Sequence, residues 1–395
     1  MKLIPVIELK DIYYANLYGY FPALLEVTDT VLLHPEAEIG KIFRRKQTIK
    51  DYLKSRYNIN TKGLKIMMDH GIFVDNASFR QMFSLEKNAE NILKVYSVLG
   101  IDYGLSFDVP SRLHLLASIE LAIAKAGGRA DEKLIKSINQ STREEVEMIA
   151  EGLSSFTMNS KVSRDKLQKV LKENSMFYKM LKELSVKTIE ESLKNLRKQL
   201  EIKRKNNYSF LLIPVVQGLF YTDSENALRE IVDLLVSYNE FLVENGKRYL
   251  YIAIGTSGSN LSEEDAKLIN FLLVYGHEYT KKQNINVRFH LLGVNSFDNI
   301  RTDLVYSADA VTARRRAVDR KLYVIENGKL KLIEVNKIKE WDCQCPACSK
   351  FRDLILKNTS ERKTDVRLIH NLWAVSEYVR TKNESQQRFN TFLNY

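Results

Sequence analysis

Several features are scarce or missing in this chain, and each absence narrows the possibilities. No run of about 18 apolar residues occurs in its 395 positions, so a membrane-spanning helix is not expected. Three cysteines are too few, and odd in number, to make a disulfide framework. There is no internal repeat and no low-complexity tract. The first residues meet an acid and a lysine before any signal-like apolar stretch forms, which gives the expectation of a soluble, cytoplasmic protein. Apolar residues are present at 45%, enough for a large core and too many for a disordered chain. Lys and Arg number 60 against 49 Asp and Glu, a net charge of +11. That excess suits a polyanionic partner through phosphate contacts, and it suits ordinary solubility equally well.

The length corresponds to about two or three domains, or to one large barrel with an appended module. Short apolar runs at 63–68, 103–107, 210–216, 249–254 and 287–292 read as strands, several apolar nearly throughout, as when both sheet faces are covered. Helical patterns at 88–98, 187–203, 226–244 and 263–282 lie between them. This alternation predicts an α/β fold with a parallel sheet, and the length fits a (β/α)8 TIM-type barrel. The expected division is a barrel over 1–335 and a C-terminal subdomain with a closing helix over 336–395. A basic stretch near 160–207 reads as one or two amphipathic helices inserted in the barrel, whose charge is either a solvated face or a nucleic-acid contact.

Asp69, Asp108, Gln217 and Gly255 each follow an apolar run directly. In a parallel barrel such positions share the carboxyl edge, where chemistry is placed. One Asp after a strand is ordinarily a helix cap. Four polar or glycine positions of this kind point instead to a site.

All three cysteines, Cys343, Cys345 and Cys348, fall within six residues, and His370 follows 22 positions later on a helical pattern at 365–380. Three thiolates and one imidazole make a closed tetrahedral set, the composition of a structural zinc site. Soft thiolates disfavour magnesium and calcium. The alternative is a chance cluster with His370 on a helix face.

Cys343-x-Cys345-x-x-Cys348 followed by Ile369-His370-Asn371-Leu372 resembles the zinc signature of the tRNA-guanine transglycosylase superfamily. Met68-Asp69-His70-Gly71-Ile72-Phe73 is similar to that family's first aspartate loop, with His70 replacing a small residue. Phe107-Asp108, Val216-Gln217-Gly218, Ile254-Gly255 and His290-Leu291-Leu292-Gly293 resemble its further motifs, in family order, over about 60–380. The resemblance implies exchange of guanine in a nucleic acid for a 7-deazaguanine base such as preQ0, through a covalent aspartyl-glycosyl intermediate. It implies Asp309 as nucleophile and Asp69 as general acid/base. Asp108, Gln217 and Gly255 would recognise the base, with Phe73 stacked on one face and Leu292 against the other. An ungapped alignment would set Thr312 opposite the nucleophile; Asp309 is preferred because a carboxylate can displace a base and later leave.

Arg314 and Arg315 follow at once and read either as a phosphate clamp or as a solvated turn. Tyr306-Ser307-Ala308-Asp309 resembles the DNA-modifying branch, the DNA 7-deazaguanine transglycosylases, whereas Cys345-Pro346-Ala347-Cys348 resembles the archaeal tRNA branch. DNA is the favoured substrate on the first motif, and tRNA is the close second. Two other readings are a non-catalytic, zinc-containing partner subunit and a zinc-stapled nucleic-acid binder. The acids Asp69, Asp108 and Asp309 together argue against both. A homodimer is implied by resemblance.

Overall fold

The computed structural model describes residues 1–71, 74–156, 164–255, 263–293, 297–309, 311–338, 341–356 and 363–393. Twelve strands are present among them: β1 (Lys2–Ile4), β2 (Thr30–Leu33), β3 (Lys65–Met68), β4 (Tyr103–Leu105), β5 (Leu211–Ile213), β6 (Val215–Val216), β7 (Leu242–Glu244), β8 (Lys247–Gly255), β9 (Asn286–Leu292), β10 (Val305–Asp309), β11 (Lys321–Glu326) and β12 (Lys329–Glu334). Most connections between the parallel strands carry helices, so the fold is mixed α/β.

Two parallel sheets carry the order β2-β3-β4-β5 and β1-β10-β9-β8-β6. They touch at both margins. At one, Val6 bridges Leu32 in parallel, with Leu32 N–H donating to Pro5 O at 2.9 Å and Ile7 N–H to Leu32 O at 3.1 Å. At the other, β5 and β6 are one extended run interrupted at Pro214, which has no N–H to donate but whose carbonyl accepts from Ala253 at 2.8 Å. Ser106 N–H donates to Ile213 O across the same junction.

Side chains alternate across each strand, and the two faces fall into two separate apolar clusters. One holds Ile4, Leu32, Met67, Leu105, Ile213, Val215, Tyr251 and Ala253, with Leu292 and Tyr306 against it. The other holds Leu33, Met68, Val216, Ile254, Leu291 and Ala308, packed with the surrounding helices. Strands covered on both faces in this way must be apolar nearly throughout, which is why the runs at 63–68 and 249–254 are legible.

Two elements differ from the sequence pattern. The helix expected over 226–244 stops at Ser237 within Tyr221–Ser237, and Leu242–Glu244 pairs antiparallel with β8. The hairpin turns at Asn245 and Gly246, both with positive φ, a pair well suited to a tight two-residue turn. The basic stretch forms two helices, Arg164–Glu173 and Ser175–Asn206, which are not merely surface elements. With Ser111–Lys125 and Arg143–Ser154 they enclose a third apolar cluster around Ile119, Ile149, Leu153, Leu167, Phe177 and Leu184.

Phe177 is fully buried in that third cluster. Its replacement by Ala should destabilise the protein by about 3–5 kcal/mol in urea unfolding, through lost transfer energy and the cavity left behind.

Candidate active site and metal centre

Parallel strands deliver their carboxyl ends to one edge, and the side-chain period of two fixes what points over the inner cluster. His34, Asp69, Gln217, Gly255 and Asp309 each lie two positions beyond an inward residue: Leu32, Met67, Val215, Ala253 and Ser307. Asp108, three residues past β4, joins them.

His34 Nδ1 stands 2.6 Å from Asp69 Oδ2, and Gly71 N–H donates to Asp69 Oδ1 at 2.6 Å. Burial pushes Asp69 upward, but the His34 cation, its hydrogen bond and His70 outweigh this and hold the carboxyl below its ordinary 3.8. The Asp69 carboxylate in turn lifts His34 to about 9 against burial, with Asp309 and Glu36 adding to the effect. Lys87 donates to the carbonyls of Gly71 (2.6 Å) and Val74 (2.8 Å), pinning this loop from below. Burial brings Lys87 down to about 8, although Asp69, Asp108 and Asp75 pull the other way.

Asp108 is buried with both oxygens engaged. His70 Nε2 lies 2.9 Å from Oδ1, and Gln217 Nε2 donates to Oδ2. His70 is itself buried, and its Nδ1 has no hydrogen-bond partner among the described residues. A Cβ on Gly255 would stand 2.8 Å from Gln217 Nε2, so glycine there makes room for the amide. Asp309, also buried, accepts from Gly293 N–H at 2.6 Å. Leu292 ends β9 on the inner face.

The two recognition candidates are braced by the Ser175–Asn206 helix. Phe107 N–H donates to Gln199 Oε1 at 2.8 Å and Val109 N–H to Ser192 Oγ at 2.8 Å, either side of Asp108. Leu219 N–H donates to Ser185 Oγ at 3.0 Å, two residues beyond Gln217. Arg314 is paired with Glu8 (3.1 Å) and Asp11 (2.9 Å), while Arg315 is exposed. Phe73 lies outside the described residues. Asp69, Asp108, Gln217, Gly255 and Asp309 are therefore grouped at one edge, joined by His34, His70 and Lys87. The sequence signal for His34 is the same one that marks Asp69: a polar residue directly after the apolar run Thr30–Leu33.

Cys343, Cys345, Cys348 and His370 form the second cluster, with donor atoms all within 4.8 Å of one another. His370 Nδ1 lies 3.5, 3.5 and 3.4 Å from the three sulfurs in turn. A tetrahedral ion with zinc's bond lengths gives a sulfur–nitrogen separation of about 3.5 Å, so the donors fit such an ion. His370 Nε2 lies 2.8 Å from Tyr323 O, a bond that fixes the tautomer leaving Nδ1 free to ligate. Cys348 N–H donates to Cys345 Sγ and Trp341 Nε1–H to Cys348 Sγ, both at 3.2 Å. The adjoining Asn371 accepts from Tyr323 N–H at 2.9 Å and donates to Lys321 O at 3.1 Å. A metal here would tie the helix Lys363–Leu393 to both the cysteine loop and the edge of β11.

The fold and these two clusters define a mixed α/β protein with a polar site at the carboxyl ends of parallel strands and a Cys3His group able to hold a metal ion. No family model matches the chain. It is 28% identical over 208 residues to a tRNA-guanine(15) transglycosylase of Methanocaldococcus jannaschii. The match takes in 50% of this chain and 28% of that protein, so the chain spans little more than a quarter of the relative's length. Among the described residues no helix is long and apolar enough to cross a membrane.

Two outcomes are expected. Cys345→Ala should lower metal content, read by elemental analysis, and melting temperature together; full occupancy in the variant would remove Cys345 from the ligand set. The His34–Asp69 pair also makes stability depend on pH. Its His34 part is complete below the ordinary value of 6.5 and is lost as pH rises through about 9. Its Asp69 part is present above 3.8 and is lost as pH falls through the depressed value. The melting-temperature gap between wild type and Asp69→Asn should therefore narrow as pH is raised from neutrality past 9.

Proposed function

We propose that this chain is a guanine transglycosylase, exchanging guanine in a nucleic acid for a 7-deazaguanine base. The observation that carries the reading is the meeting of Asp69, Asp108, Gln217 and Asp309 at one edge of the parallel strands. We take β1, β2, β3, β4, the β5–β6 run, β8, β9 and β10 as a closed (β/α)8 barrel, a reading supported by the contacts at both sheet margins and the single inner cluster fed by every strand.

The chemistry follows from the groups present. The Asp309 carboxylate attacks C1′ of the sugar as the C1′–base bond breaks, forming a glycosyl ester; the Gly293 N–H, 2.6 Å from one of its oxygens, orients the group. Asp69 manages the proton of the leaving and entering bases. Asp108 and Gln217 read the pyrimidine edge of guanine. A carboxylate accepts from the ring N–H and exocyclic amine, an amide donates to the carbonyl, and each Asp108 oxygen keeps a further lone pair beside its present bond. Phe73 and Leu292 would enclose the base, and Arg315 stands exposed for phosphate while Arg314 is paired with Glu8 and Asp11. A base in a duplex must first leave the stack, which costs a few kcal/mol.

Zinc is the ion that the Cys3His donors suit, held by Cys343, Cys345, Cys348 and His370. With all four positions taken by protein its contribution is structural.

Two substrates are weighed by different observations. The relative's name favours tRNA. The Tyr306–Asp309 motif favours DNA.

Labelled guanine offered with duplex DNA and with bulk tRNA should enter one of them, and incorporation into neither would overturn the proposal. Asp309→Ala should abolish the covalent protein–nucleic acid adduct on denaturing gels while retaining its metal; an undiminished adduct would move the nucleophile elsewhere.

A further inference from the structure

We propose that His34 is the positioning residue that stores the exchange proton, supplying it through Asp69 to the departing base and recovering it from the incoming one. The inference rests on the transglycosylase reading and deepens it, since neither the motifs nor the similarity to the relative assigns His34 a role.

Backbone register puts the two side chains together. Leu33 of β2 pairs with Met68 of β3, so the next residue on each strand, His34 and Asp69, stands beside its neighbour at the carboxyl edge. Both point over the inner cluster, following Leu32 and Met67. The 2.6 Å separation between His34 Nδ1 and Asp69 Oδ2 is that of a charge-assisted hydrogen bond. The other Asp69 oxygen is held by Gly71 N–H, so the pair is oriented from both ends.

A chemical difficulty makes this contact matter. A general acid must carry a proton at working pH. Asp69, held below the ordinary carboxylate range by His34 and His70, carries none near neutrality. The imidazolium touching it does. The charged groups around the pair support this state: Asp69 from β3, Asp309 from β10 and Glu36 from the loop after β2 face His34. His70 faces Asp69, and Lys87 senses both Asp69 and Asp108. The side chain of His34 is 49% exposed and that of Asp69 16%, so the store meets water more than the donor does.

The steps balance. In the first half, the C1′–base bond breaks with its electron pair passing to the base nitrogen, and an Asp309 oxygen bonds to C1′. The base nitrogen takes a proton from Asp69 as Asp69 takes one from His34 Nδ1, leaving neutral imidazole and a carboxylate. In the second half, the incoming base loses its ring N–H proton to Asp69, which returns it to His34. The base nitrogen bonds to C1′, and the Asp309 ester bond breaks to restore the carboxylate. No proton, oxidant or co-reactant is consumed.

The test uses the full chain and two readouts. First, the His34 imidazole is titrated by NMR without substrate. It should titrate near 9 in wild type and fall toward 6.5 in Asp69→Asn; an ordinary wild-type value overturns the proposal whatever the activity. Second, labelled-guanine exchange is followed against pH in wild type, His34→Gln, and His34→Gly with and without added imidazole. Wild type should hold its rate across neutrality and lose it as His34 deprotonates. His34→Gln should lose about 100-fold at neutral pH, recover at acid pH where Asp69 takes its own proton, and His34→Gly should gain rate with imidazole. A His34→Gln rate equal to wild type, or a loss that is uniform with pH and not rescued, overturns the relay. Absence of exchange in wild type on any nucleic acid would instead remove the transglycosylase reading, and the relay with it, while the NMR result would still report on the pair.

Discussion

In a parallel ladder every strand delivers its carboxyl end to the same edge, so the pairings Leu33–Met68 and Ile4–Asp309 decide which polar side chains meet. The alternation of faces then decides which of them point inward. A slip of one residue in either pairing would turn Asp69 or Asp309 toward the helices and bury an unpaired carboxylate there, at a prohibitive cost in desolvation. The apolar residues just below the site, Met67, Val215 and Ala253 among them, therefore hold the acids in place by insisting on their own burial.

The second organising element lies across the chain from the first. His370 is fixed through one ring nitrogen by the Tyr323 carbonyl and faces three sulfurs through the other, while Asn371 beside it holds both backbone edges near Tyr323. The helix carrying them packs against Val311–Val318, which starts just past Asp309. The Cys3His group and the nucleophile candidate are thus neighbours through one short helix, although none of its four residues is part of the polar site.

Much of this was legible because strands covered on both faces must be written as apolar runs, and the cysteines are gathered in one loop. What was not legible has physical reasons. Thr30–Leu33 stands between Asp29 and His34-Pro35 with no apolar flank to lengthen its run, so His34 is less marked in the sequence although it follows its strand as Asp69 follows its own. The 226–244 pattern continued past the true helix end because Leu242 is apolar for a different reason, its burial in the inner cluster; Asn245-Gly246 was the turn signal. The bracing role of the basic helix was hidden by its charge. Its trace was Ser185, Ser192 and Gln199, uncharged polar residues seven apart, each buried and each bonded to the backbone of a loop beside the site.

That bracing divides the site by what supports it. The loops bearing Asp108 and Gln217 lean on a helix whose N-terminal half packs in the third apolar cluster, whereas Asp69 and Asp309 are set by strand register and by the Gly71 and Gly293 N–H groups. A helical cluster with its own apolar core can change on its outer side without disturbing side chains that strand register sets. The two pairs of side chains are then open to change in their surroundings to different degrees within one polypeptide.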